Sequence, residues 1–541
     1  MRACHKILLQ VAAAAACFTY AGAACAAPIL LKDLPPAVAY HLTPLVGSPD
    51  PALKLHFAIA LPMRNQTRLD SLLQQIYDPK SRLYRHYLSV AEFTDRFGPS
   101  QSDYSAAVSY IASHGLQVTG VSANRYLIDA VGSVSDIERV FHLKMGLYKH
   151  PTENRNFISP DREPTLGLSV PILAVIGLDD FTLPSPRLIQ SDESSLRTGT
   201  GSGPQGNFIG RNIRKAYAGD TTLTGSGQSL GLMELEGYNV SDVELYFSRF
   251  GPSLTTQING ISTDGSPVTC TDLCRNDAEQ ALDIEYAVSM APGLNQVQVY
   301  VAKHAISVLN RMASDNTSKQ LSTSWGWNEK FRADDPLFKE MAAQGQTFLT
   351  ASGDYSSLQA SGPWPEEDAN LTAVGGTDLD TKGAGGVWKN ETGWSGSAGG
   401  PSLDPTILIE SYQLPFINAS NRGSLTLRNV PDVAGDANTD NYICFNGKCN
   451  GGWGGTSFAS PIWAGFIALA NQQAAANGKP TVGFLNPTIY GMAGLPVYPT
   501  LFHDISRGRS GKYNAVKGYD LVTGLGSPQG QALIDALVDG L

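Results

Sequence analysis

The sequence predicts an α/β protein: a doubly wound parallel sheet preceded by a small α+β unit of the ferredoxin-like, split βαβ kind. Three observations carry this. Strand-like apolar runs interleave with helical patterns in two separate blocks, residues 28 to 190 and residues 208 to 541. Between the blocks, Ser191 to Asn207 is dominated by Ser, Gly and Thr and has no apolar period, as an exposed, cleavable linker would. The 541-residue length also exceeds one ordinary domain.

In the first block, Leu55 to Pro62 alternates as a strand and Leu69 to Tyr77 repeats as an amphipathic helix. Helical patterns follow at Val90 to Phe97, after Ser89, and at Ala106 to His114. Gln117 to Val121 and Tyr126 to Ala130 read as strands, Ser135 to Phe141 as a helix and Lys144 to Tyr148 as extended chain. Beyond the linker, strands are expected at Ser229 to Leu235, Val297 to Ala302, Gln320 to Ser324 and Thr347 to Ala351. Helices are expected at Asp242 to Phe250, Ile306 to Ser314 and Pro336 to Gln344. In such a sheet the functional residues belong at the carboxyl ends of the strands.

Composition narrows the function. The net charge is −10 and no long basic block occurs, which argues against nucleic acid or an anionic membrane as partner. Met1 to Ala27 has a basic start, an apolar stretch too short to span a bilayer and an Ala-rich end, the pattern of a secretory signal. The mature product is therefore expected to be secreted, extracellular or periplasmic. Loss of the signal leaves four cysteines in two close pairs, Cys270 with Cys274 and Cys444 with Cys449. Each pair is expected to close its own loop as a disulfide, because zinc would need the pairs brought together and no histidine stands beside either.

Ser457 heads an apolar run from Phe458 to Leu469, behind Gly452, Gly454 and Gly455. A hydroxyl there sits at the positive end of a helix dipole, as a nucleophile or equally as a plain N-cap. A nucleophilic serine needs a base. After the linker only His304 and His503 are available, and neither stands in the Gly-rich strand-end setting of subtilisin-type histidines. Carboxylates are better placed: Glu279 and Asp283 are i and i+4 on a helical pattern running to Pro292. Like charges at that spacing cost an isolated helix roughly 0.2–0.5 kcal/mol, so the pair is either a solvated acidic face or a proton-sharing couple. Asp354, after the strand Thr347 to Ala351, is either a turn former or, when protonated, a hydrogen-bond donor to an oxyanion.

Four motifs occur in order: Glu279-x-x-Leu282-Asp283, Ser322-Thr-Ser324-Trp325-Gly326, Ala351-Ser352-Gly353-Asp354 and Gly455-Thr-Ser457-x-x-x-Pro461. Together they resemble the sedolisin family of serine-carboxyl peptidases over nearly the whole chain. The first block resembles that family's pro-kumamolisin-type activation propeptide, through Ser81-Arg-Leu-Tyr84-Arg-His-Tyr87-Leu88, Glu92-Phe93 and Arg96-Phe97-Gly98.

The resemblance implies a subtilisin-like catalytic fold and an acid-acting endopeptidase made as a self-processing zymogen, monomeric, with polypeptide substrates. Its own propeptide would serve as intramolecular inhibitor and chaperone. The resemblance makes Ser457 the nucleophile, Glu279 the general base, Asp283 its orienting partner and Asp354 part of the oxyanion hole. Glu234 and Trp325 would extend the network, although Glu236 stands where relatives often have Gly. Ser324, Trp325, Gly326, Ser352 and Gly353 would bind substrate. One Ca²⁺ is implied near the C-terminus, on the side chains of Asp504 and Asp520 and the carbonyls of Ile505, Val516 and Gly518. Cleavage is expected between Ile189 and Asn207. Six histidines, His41, His56, His86, His114, His142 and His150, suit either scattered solvation or a pH-sensing propeptide.

Overall fold

Period-two alternation in the strand Lys54–Ala60 sorts its residues between two cores. Phe57 and Ile59 join Ile111, Ile128, Ile137 and Phe141 in a core belonging to the N-terminal block. Ala58 and Ala60 point the other way, into a core shared with Ile306, Leu309, Leu337 and Phe338 of the following block. These assignments come from a computed structural model that describes residues 29–32, 34–191, 199–270, 277–327, 332–358 and 364–540. The signal reading at residues 1–27 and Cys274 lie outside the described residues. Among the described residues no helix is long and apolar enough to cross a membrane.

The N-terminal sheet is antiparallel, with Gln117–Val121, Leu127–Ser133, Lys54–Ala60 and Ala174–Ile176 side by side in that order. Numbered along the chain this is second, third, first, fourth, the ferredoxin-like arrangement expected. Helices fall at Gln66–Tyr77, Val90–Arg96, Gln101–Ser113 and Val134–Phe141. The third begins five residues earlier than its apolar period suggests, because Ser100 caps it by accepting the Asp103 N–H at 3.1 Å. Small side chains on the outer face of the sheet allow close docking, and polar contacts fix it. Tyr77 donates to the Ala342 carbonyl at 2.7 Å, and Asn124 donates to Glu340 at 2.8 Å. Buried Arg85 donates to the Leu537 carbonyl at 2.7 Å. Of the six histidines, His56 lies against the second block, where its carbonyl faces His304 and its ring neighbours Lys303 and Asp264.

The main sheet contains β1 (Ser229–Glu234), β2 (Gln257–Ser262), β3 (Gln296–Val301), β4 (Gln320–Thr323), β5 (Thr347–Ala351), β6 (Thr372–Thr381), β7 (Trp388–Gly393) and β8 (Val433–Asp436). Their order is β2-β3-β1-β4-β5-β6-β7, with β8 also paired to β6. Every pairing is parallel except β6 with β7. The chain order reverses at β1, so the carboxyl ends of β1, β4 and β5 converge where a doubly wound sheet presents its site. The strands β2, β6, β7 and β8 are additional to the expected four. Gly375 and Gly376 interrupt the β6 pattern, and Gly375 is needed because a Cβ would stand 2.7 Å from Pro431 and 2.8 Å from the Val522 carbonyl. Two helices lie beneath the site, α1 (Asp277–Met290) and α2 (Thr456–Ala476). Gly465 lets them touch, since a Cβ there would lie 2.7 Å from that of Met290.

Candidate active site

Every residue of α1 is buried, so Glu279 and Asp283 do not form a solvated acidic face. The i, i+4 spacing aims both carboxyls at the head of α2. Gly455 is the N-cap of α2 with φ +123°, and Ser457 is its second helical residue, with a hydroxyl that makes no hydrogen bond. The plain N-cap reading of Ser457 therefore fails. Pro461 lacks an N–H, leaving the Ser457 carbonyl without its usual i+4 donor. Ser324 Oγ stands 3.2 Å from that carbonyl and 2.7 Å from Asp283 Oδ1, joining the end of β4 to both helices.

Around Ser457 the strand ends add two more acids. Glu234, the last residue of β1, accepts the Trp325 indole N–H at 2.7 Å. The Asp283 carboxyl is its charged neighbour, and that like charge raises the Glu234 pKa further after burial, so the two do not ionise together. Asp354 follows β5 and accepts the Thr456 N–H at 2.8 Å and the Thr456 hydroxyl at 2.9 Å, both on Oδ1. Its Oδ2 makes no hydrogen bond.

Burial pushes all four carboxyls towards the neutral form. Asp354 is raised to about 7 by desolvation, offset in part by the Thr456 bonds and by Arg187. Glu279 is raised by burial and then by the charge of Asp283, with Glu234 and Asp354 adding to it. The Ser457 hydroxyl is the neighbour that favours charged Glu279, yet the pair stands outside hydrogen-bond geometry. They face each other without closing, as is common before substrate is engaged.

The first block's own tail runs through this site. Ser185–Pro186 pairs antiparallel with Trp325–Gly326, and Ile189–Gln190 pairs antiparallel with Trp453 and Gly454. Between these pairings, the Arg187 N–H donates to the Ser324 carbonyl at 2.9 Å. The Arg187 carbonyl accepts the Ser457 N–H at 3.1 Å. A Cβ on Gly455 would collide with that carbonyl oxygen and lie 2.6 Å from Asp354 Oδ2, so both oxygens face one small space. Gly353 is similarly required, because a Cβ would stand 2.9 Å from the Arg187 guanidinium. Ser352 is buried beside it and ties β5 to β6 through its N–H to the Val374 carbonyl, 2.9 Å away.

The two histidines of the second block are engaged elsewhere. His304 contacts the His56 carbonyl, and His503 stacks on Trp388 at 4.0 Å with burial holding its pKa down near 4. Farther off, Asp520 is fully buried and accepts the N–H groups of Val516, Val522 and Thr523, while Asp504 accepts that of Gly518. The Tyr498 hydroxyl donates to the Leu525 carbonyl at 2.8 Å and lies within electrostatic range of both carboxyls. Among the described residues no cluster of three or more His, Cys, Asp or Glu forms a metal site. A disulfide joins Cys444 to Cys449 at the turn before the Trp453 edge. Two parts of the site carry no motif in the sequence: the tail Ser185–Gln190, and Glu366, which pairs with Arg187.

Residues 44–181 match the family model described as the Pro-kumamolisin activation domain. Kumamolisin from Bacillus sp. (strain MN-32) is 30% identical over 492 residues, covering 84% of this chain and 86% of the relative. The chain belongs to the sedolisin family. Tripeptidyl-peptidase 1 of Mus musculus is 24% identical over 550 residues, covering 91% of this chain and 93% of the relative. The solved structure of Pseudomonas sedolisin, a serine-carboxyl proteinase complexed with two molecules of pseudo-iodotyrostatin, superposes with a TM-score of 0.55. It is 27% identical and covers 61% of this chain and 98% of that one. This sedolisin-family chain is a serine peptidase with an N-terminal activation propeptide and a subtilisin-like sheet.

The buried acids give a stability prediction. Their folded pKa values lie above the unfolded carboxyl range near 4, so the folded state holds protons that the unfolded chain releases. Their contribution is fully present below about pH 4 and is lost as pH rises through the folded values, at up to about 1.4 kcal/mol per pH unit per proton. The Ser457→Ala precursor should therefore melt at a lower temperature at pH 8 than at pH 4, as calorimetry would show.

Proposed function

We propose that this chain is a secreted, acid-acting endopeptidase made as a self-processing zymogen, with carboxyl groups in place of histidine. The observation that carries the reading is the arrangement around the Arg187 carbonyl. A backbone N–H and an unbonded carboxyl oxygen flank it, while a buried glutamate faces the serine hydroxyl.

In this mechanism Glu279, ionised, takes the Ser457 proton as Oγ attacks the peptide carbonyl. The Ser457 N–H and protonated Asp354 stabilise the oxyanion. Glu279 returns the proton to the leaving amine, then activates a water that hydrolyses the acyl-enzyme. Asp283 shares a proton with Glu234, which Trp325 holds in place, and so orients Glu279 and tunes its charge. The endo-type reading rests on the tail, which enters along Trp325–Gly326 and leaves along Trp453–Gly454, so chain extends on both sides of the central carbonyl. The same occupancy supports the propeptide as intramolecular inhibitor of a monomer.

The region of Asp504 and Asp520 suits one Ca²⁺. Asp520 is buried with its pKa raised to about 7 by desolvation and, among the described residues, no Lys or Arg pairs with it, so a cation would offset its charge. Its side chain, that of Asp504 and the carbonyls of Ile505, Val516 and Gly518 form an all-oxygen donor set of the kind calcium takes. A bound ion there would clamp the C-terminal loop.

On haemoglobin at pH 4, Ser457→Ala, Glu279→Gln and Asp283→Asn should each abolish digestion while the variants stay folded. Asp354→Ala should lower kcat by about 10²–10³. Wild-type activity should fall as pH rises past about 7, where Asp354 loses the proton it donates. Full activity of Glu279→Gln would refute the base assignment. Added calcium should raise the Tm of the wild-type precursor and leave that of Asp504→Asn unmoved.

A further inference from the structure

The tail in the cleft shows more than occupancy, because its central residue carries a charged side chain into a matched pocket. Arg187 is almost fully buried, and its guanidinium donates to Glu366 Oε2 at 3.2 Å and Oε1 at 3.3 Å. Glu366 is buried too; desolvation raises its pKa to about 7 and the Arg187 charge draws it back down. Gly353 and Ala398 form the near wall, where a side chain on Gly353 would meet the guanidinium. Asp354 adds a second acid within electrostatic reach. A buried glutamate without a cation would be costly, so the pocket selects for a partner that brings one. A single guanidinium nitrogen, Nη2, reaches both oxygens of that carboxylate, a charge-assisted contact.

We infer that Arg187–Leu188 is the first bond this zymogen cuts, and that the pocket formed by Glu366 and Gly353 makes the mature enzyme prefer arginine before the scissile bond. The inference rests on the serine-carboxyl reading above and adds its substrate class. It also moves the processing bond upstream of the expected Ile189 to Asn207 range, because the Arg187 carbonyl is the one held by Ser457 N–H. In the first step Ser457 Oγ bonds to the Arg187 carbonyl carbon and the bond to Leu188 N breaks. The serine proton passes through Glu279 to the new Leu188 amine. Water then supplies hydroxyl to the acyl carbon and a proton to Ser457, leaving an Arg187 carboxylate.

The test acidifies the full precursor and reads the earliest products by intact mass and N-terminal sequencing. It then gives the processed enzyme the peptide Leu-Pro-Ser-Pro-X-Leu-Ile-Gln-Ser, with X as Arg, Lys, Leu or Glu. The inference expects a first product beginning at Leu188 and at least a tenfold higher kcat/KM for X = Arg than for X = Leu. Glu366→Gln should cut that Arg-over-Leu ratio at least fivefold, mostly through KM. If Glu366→Gln does not fold, Arg187→Leu in the precursor replaces it and should slow the 187–188 cut at least tenfold. A wild-type enzyme that digests haemoglobin but cuts first elsewhere, or treats Arg and Leu alike, overturns this inference and leaves the peptidase reading standing. A wild-type precursor inert at every acid pH overturns both.

Discussion

The arrangement depends on one constraint: four carboxyl groups are enclosed around a single serine, where water cannot stabilise their charges. An isolated buried carboxylate is expensive, and two in contact cannot both ionise. Glu234 and Asp283 lie close enough to raise one another's cost of ionising, and each keeps one neutral donor: the Trp325 indole for Glu234 and the Ser324 hydroxyl for Asp283. The enclosure therefore favours protons on these groups, which is what the proposed acid chemistry would draw on. A histidine base would ask the opposite of its surroundings.

The fold places these acids through ordinary means. β1, β4 and β5 end together at the reversal of strand order, delivering Glu234, Ser324 and Asp354. α1 contributes Glu279 and Asp283 one turn apart, and α2 contributes Ser457 behind a glycine that leaves room for a peptide carbonyl. The propeptide seals the assembly by a different route. Alternate residues of Lys54–Ala60 serve its own core and the shared one, so the block cannot lose its docking face without exposing apolar surface.

Much of this was legible in the sequence because it is local. The i, i+4 acids, the Gly-rich entry to Ser457 and the strand before Asp354 are patterns within a few residues. Three things were hidden for a physical reason. An acidic helix reads the same whether solvated or enclosed, and only packing shows that α1 is buried all round. The Arg187 and Glu366 pair spans 179 residues and lies in no motif, so nothing local marks either partner. Of the four unexpected strands, β6 and β8 carry glycines that permit close packing and also erase the alternation that announces a strand.

The two short pairings on either side of Arg187 have a consequence for how the chain matures. A segment already zipped to both rims of the cleft is at a fixed effective concentration, set by its tether and not by how many molecules share the solution. A cut made within such a molecule, as proposed, would be first-order: its half-time would be the same for a lone molecule as for a crowded population, and dilution would neither hasten nor delay it.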